Sequence, residues 1–187
     1  MLRFWVILLL LVPCLSACFD TGDDIPAGYQ KVTIDSTYTI LLPTALEETQ
    51  EMHDYAELQF RNVDIHFYVL GINSPKSRLG EIRNRKLKLT AFMRFLEDDV
   101  RSFVDSLAEC GESSWRTNAT STSYLARDFV AKSSFFGDQH ELFYRVTAVE
   151  TPNSFYGLII WTPFGSHMER WSWIEQISRS FTPLEGH

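Results

Sequence analysis

Phe155-Tyr156-Gly157-Leu158-Ile159-Ile160-Trp161 is apolar at nearly every position, without the alternation that marks a strand with one wet face. A strand of this kind is buried on both sides, so it is expected at the centre of a sheet with layers packed above and below. Upstream, Tyr124 to Trp161 reads as a three-strand meander turning at Gly137-Asp138-Gln139 and at Thr151-Pro152-Asn153. Downstream, Ser166-His167-Met168-Glu169 fits a capping box, in which the serine accepts from a backbone NH and the glutamate reaches back. The helix expected there has Ile174, Ile177 and Phe181 on its inner face and Trp171 and Trp173 on its two edges, before Pro183.

Further upstream, Leu89, Phe92, Leu96, Val100, Phe103 and Leu107 recur at spacings of three and four, which predicts one long helix from Leu89 to Ala108. Arg94 with Asp98, Glu97 with Arg101, and Arg101 with Asp105 sit four apart on its other face, and Gly111 is placed to end it. Ala56, Leu58 and Phe60 alternate with polar residues, and Ile65, Phe67 and Val69 follow after Asn62-Val63-Asp64, a second hairpin. Tyr29–Ile34 and Tyr38–Leu42 form another hairpin around Asp35-Ser36-Thr37, and Leu46 to Met52 is expected to add a helical turn. The sum is an α+β fold: an α/β/α sandwich with a mainly antiparallel central sheet, one long mid-chain helix and a C-terminal helix.

The N-terminus has its own logic. Arg3 precedes an apolar run from Phe4 to Val12, the layout of a secretory signal and too short for a membrane span of roughly 20 residues. Leu15-Ser16-Ala17-Cys18 resembles the lipobox of bacterial lipoproteins, in which Cys18 receives the lipid and residues 1–17 are cleaved; an ordinary signal with an incidental cysteine is the alternative. Cys14, directly after Pro13, departs from that pattern. Each acyl CH₂ buried contributes about 0.8 kcal/mol, so several chains anchor stably. Residues 18–28 are polar and acidic and read as a tether, with a single domain over residues 29–187. Phe19 after the cysteine, instead of the aspartate resembling an inner-membrane retention signal, favours the outer over the inner membrane, with the domain facing the periplasm.

Removing the first 17 of 187 residues leaves 170, enough for one self-sufficient core. Hydrophobic residues are 45% and charged residues 22% of the chain, an ordinary globular balance, and a net charge of −7 argues against generic nucleic-acid binding. With Cys18 acylated, Cys110 has no disulfide partner, and its place at the end of the helical stripe predicts burial as a small hydrophobe.

The order of elements, with Phe155 to Pro163 followed by a helix ending Ile177-Ser178-Arg179-Ser180-Phe181 and with Tyr38-Thr39-Ile40-Leu41-Leu42-Pro43 near the start, resembles the PsbP/DcrB-like family, of the Mog1p/PsbP fold. The resemblance covers roughly Tyr29 to Phe181 and implies a sandwich used mostly for noncovalent binding or assembly. The family has no common catalytic residues, so none carries over.

The residues themselves offer little chemistry. His53, His66, His140 and His167 lack the paired spacing of metal ligands, so neither a metal nor a cofactor is expected. Gly111-Glu112-Ser113-Ser114-Trp115 lacks the second glycine of a nucleophile elbow, Asp98 and Asp99 read as a solvated helix face, and Asn118-Ala119-Thr120 is a sequon by pattern only. One run departs from the acidic background: Lys76, Arg78, Arg83, Arg85, Lys86 and Lys88 against Glu81 alone. Beside a lipid anchor it suits anionic headgroups or an acidic partner, and otherwise it is a solvated loop. Trp115, Trp171 and Trp173 are a second candidate surface. These features predict a membrane-anchored, noncatalytic binding or assembly lipoprotein of the cell envelope, with another envelope protein as partner. A periplasmic immunity lipoprotein that neutralises a toxin is the alternative. An enzyme would be marked by His66 or His140 clustering with carboxylates in a deep pocket.

Overall fold

The computed structural model describes residues 25–79, 88–117, 122–134 and 139–184. Cys18, residues 1–17 expected to form a signal, most of the expected tether, the sequon pattern and the turn residues Gly137 and Asp138 lie outside them.

The apolar run forms β9 (Ser154–Pro163), the middle strand of a seven-stranded sheet. Its even positions Tyr156, Leu158 and Ile160 enter one core, and its odd positions Phe155 and Ile159 enter a second core on the opposite face. The other strands are β3 (Glu47–Glu48), β4 (Leu58–Asn62), β5 (Phe67–Pro75), β6 (Ser106–Thr117), β7 (Thr122–Ser133) and β8 (His140–Glu150). Their order is β3-β4-β5-β9-β8-β7-β6, and every pairing is antiparallel.

One face is covered by helix α2 (Leu89–Arg101), which buries Phe92, Met93, Leu96 and Val100. A four-residue helix α1 (Lys76–Leu79) precedes it. The other face is covered by helix α3 (Trp171–Ser180), with Ile174 and Ile177 buried and Trp171 and Trp173 half-buried on its flanks. Beside α3 lies the hairpin of β1 (Tyr29–Ile34) and β2 (Tyr38–Pro43), whose turn places Asp35 and Ser36 at positive φ. The short β10 (Thr182–Pro183) pairs with β2, making a separate three-stranded sheet. This is the expected α+β sandwich, with a small sheet sharing the α3 layer.

Several local expectations are corrected. The mid-chain helix stops at Arg101, where the Ser102 hydroxyl donates to the Asp99 carbonyl at 2.6 Å. Ser102 to Ser106 includes Val104, Asp105 and Ser106, poor helix formers, and the ladder with β7 claims the chain from Ser106 onward. The three-and-four spacing therefore runs past the helix by coincidence: Leu107 belongs to β6, and Phe103 is 57% exposed. Gly111 caps nothing; it follows a bulge between Glu109 and Gly111 that leaves Cys110 exposed, not buried. Residues 46–52 form no helical turn but the two-residue β3, paired with Phe60 and Arg61. The capping box goes unused, since a 3₁₀ turn over Phe164–Ser166 precedes α3, which starts at Trp171 without a side-chain cap. His167, stacked on Phe143 and Phe164, and Arg170, donating to Thr162 Oγ1 at 2.6 Å, tie that segment to the sheet instead.

Candidate functional site

Strand β4 was expected to have one wet face, yet Gln59 on it is buried, and its amide organises the loop before it. Nε2 donates to the carbonyls of His53 at 2.7 Å and Ala56 at 3.1 Å, while Oε1 accepts from the NH groups of Met52 at 2.9 Å and His53 at 3.0 Å. One buried side chain thus satisfies its hydrogen-bonding capacity on the loop and holds the loop in place. The loop brings His53 to the C-terminal end of α2, with Nε2 3.4 Å from Asp99 Oδ2.

Between that loop, the end of α2 and the sheet lies an open cavity of about 470 Å³. Its floor is a row of three rings from adjacent strands: Tyr68 stacks on Trp161 at 4.9 Å between centroids, and Trp161 on Tyr144 at 5.9 Å. The register places Trp161 directly opposite both tyrosines, so the row follows from sheet pairing alone. Burial pushes the Tyr144 phenol up, keeping this part of the wall neutral. Aliphatic walls come from Met52, Leu70, Val100, Leu142 and Ile159, and Val63 and Phe103 stand at the wall while remaining 54% and 57% exposed.

The charged residues of the wall are paired with one another: Arg61 Nη2 with Glu51 Oε2 at 2.9 Å, and His53 with Asp99. His53 Nδ1 accepts the Tyr55 amide hydrogen at 3.2 Å, which leaves the proton of a neutral ring on Nε2, toward Asp99. A histidine and a carboxylate do meet in a pocket, then, but the histidine is His53 and not His66 or His140. Both of its nitrogens are engaged, so it has no lone pair with which to take a proton from Ser133, the serine hydroxyl of the same cavity.

Among the described residues, the histidines and basic residues singled out in the sequence form no common site. Lys76 is a structural cation: Nζ donates to Glu150 Oε1 at 2.8 Å and the Thr151 carbonyl at 2.7 Å, and lies over the Phe155 ring. Arg78 sits in α1, Lys88 is exposed before α2, and Arg83, Arg85 and Lys86 lie outside the described residues. The three tryptophans pack on the α3 side: Trp115 stacks on Tyr124, Trp173 meets Phe67 edge-on, and Trp171 covers the Arg145 guanidinium at 4.4 Å. His66 and His140 are exposed, in a turn and at the start of β8. No cluster of metal ligands occurs among the described residues. The Cys110 thiol is pushed up by partial burial and by the carboxylates of Asp128 and Glu109, which disfavours a reactive thiolate.

No protein-family model and no curated protein sequence matches this chain. Solved structures do. PsbP of the cyanobacterium Synechocystis sp. PCC 6803 is 14% identical, with a TM-score of 0.58 over 90% of this chain and 98% of its own. The Ran-binding protein Mog1p of Saccharomyces cerevisiae is 9% identical, with a TM-score of 0.56 over 84% of this chain and 96% of its own. At such identities the likeness speaks for architecture, and together with the sheet order and helix placement it gives this chain a PsbP/Mog1p-like fold.

Proposed function

We propose that this chain is a lipid-anchored, noncatalytic binding module of the bacterial cell envelope, acting through the cavity beside α2. The observation that carries the binding part is a largely apolar, open cavity, within the roughly 300–1,000 Å³ of ligand pockets, whose one histidine has both nitrogens committed. Its fold is one that in Mog1p serves a Ran-binding protein, and that use of the sandwich for recognition supports the reading. Cys18 supplies the anchor, and the outer membrane is the favoured location. Among the described residues no helix is long and apolar enough to cross a membrane.

Benzoylphenylalanine in place of the exposed Phe103, in the full chain expressed in bacteria, should give a discrete adduct on illumination. That adduct should weaken when Leu142→Trp fills the cavity. No adduct, or one indifferent to Leu142→Trp, would remove the cavity from the proposal, and a toxin recovered in the adduct would favour the immunity reading. Labelled palmitate should mark the chain and be lost in Cys18→Ala; persistent labelling of that variant defeats the anchor. Separation of inner and outer membranes then reports which one holds the protein.

A further inference from the structure

We infer that the cavity beside α2 takes the aliphatic acyl chain of a lipid, an inference that rests on the cavity being the binding site. The first support is charge. Arg61, the guanidinium of the wall, is already engaged by Glu51, and the Asp99 carboxylate faces His53 Nε2, so the wall offers a ligand no uncommitted positive charge. An anionic ligand group entering this space would have to displace Glu51 from Arg61 or lie unpaired near the Asp99 carboxylate, which is costly away from water. The buried part of the ligand is therefore not anionic.

The second support is the geometry of the aromatic row. Trp161 has Tyr68 stacked on one side, at an interplanar angle of 10°, and Tyr144 on the other, at 16°. Both faces of the indole are covered, so neither a planar aromatic ligand nor a cation finds an open tryptophan face on which to sit. Around the row stand Met52, Leu70, Val100, Leu142 and Ile159, a lining that suits methylene groups.

The third support is size. A dry apolar cavity of roughly 150 Å³ accommodates benzene. A cavity of about 470 Å³ exceeds what one aliphatic side chain of a docking protein would fill. A length of peptide backbone would bring NH and carbonyl groups that need partners of their own, whereas a hydrocarbon chain brings none. The exposed Val63 and Phe103 at the wall extend the apolar surface on which the chain would enter.

The test uses the full chain in cells fed a fatty acid that carries a diazirine and an alkyne. After illumination, adducts are mapped by mass spectrometry. Label is expected on peptides bearing Tyr68 and Leu70 or Ile159 and Trp161, separate from any on the N-terminal peptide with Cys18. The mass of the adduct distinguishes a free fatty acid from the acyl chain of a phospholipid. Leu142→Trp should lower the cavity label about tenfold. Val63→Asp, at an exposed position that leaves the core intact, should also lower it and guards against misfolding of the first variant. Label confined to the Cys18 peptide, or cavity label unchanged in both variants, overturns the inference. A protein adduct at position 103 without cavity lipid label overturns the acyl chain while leaving the binding module standing; neither adduct defeats both.

Discussion

Arg145 is the residue on which the α3 side of the sandwich depends. Its side chain is 6% exposed, donates through Nε and Nη2 to both oxygens of Asp128 at 2.7 and 2.8 Å, and through Nη1 to Glu175 on α3. Removing one member of such a network strands the others, so Arg145→Ala should cost about 3–5 kcal/mol, read from the denaturation midpoint. Acid should attack the same network. Burial alone would raise the Glu175 carboxyl, but hydrogen bonds from Arg179 and Arg145 outweigh it and hold the group below its ordinary value of 4.5. A carboxylate depressed in the folded state adds stability that is present above the ordinary value and lost as pH falls through the depressed one. Unfolding measured across that acidic window should show the wild-type chain losing stability and Glu175→Gln losing less; equal slopes would assign the acid sensitivity elsewhere. None of this could be read from the sequence, where Arg145 is simply a charge within an apolar strand whose partners are 17 and 30 residues away.

At the scale of elements, helix α2 approaches the sheet over Gly157. A Cβ built there would lie 2.5 Å from Leu96 Cδ2 and 2.9 Å from Cδ1, and Leu96 is fully buried. Gly157→Ala should therefore displace Leu96 and loosen the helix, at about 1–3 kcal/mol of overpacking strain. Hydrogen exchange should report the loss more in α2 than in α3; uniform loss would mean that the strain is shared by the whole sheet. The centrality of β9 was legible because burial on both faces requires apolar residues at odd and even positions alike. The end of α2 was not, because Val100, Phe103 and Leu107 keep a helical spacing while a ladder to β7, invisible locally, takes the chain into a strand. The cavity was illegible for a related reason. Met52, Leu70, Val100, Leu142 and Ile159 come from separate segments, and each alone reads as ordinary core.

For the whole molecule, the early end of α2 explains why a cavity exists. A helix from Leu89 to Ala108 would be about 30 Å long, whereas Leu89–Arg101 spans about 20 Å. Asp99, Val100 and Phe103, at and just beyond its end, are cavity wall, so the sheet face over Leu142, Tyr144 and Trp161 lies where helical cover runs out. Part of that apolar surface is accessible from the cavity, and an aliphatic occupant would cover it. Because the cavity exists only in the folded chain, such a ligand must raise stability by linkage, by about 2.7 kcal/mol at a hundred times its dissociation constant. For a domain of this size that amounts to several degrees in Tm. Decanol, an uncharged aliphatic probe, should therefore shift thermal unfolding of the full chain upward in a saturable manner. Leu142→Trp, with its indole in the ligand's place, should unfold at a Tm that decanol leaves unchanged, whereas an equal shift in both proteins would mean that decanol acts outside the cavity.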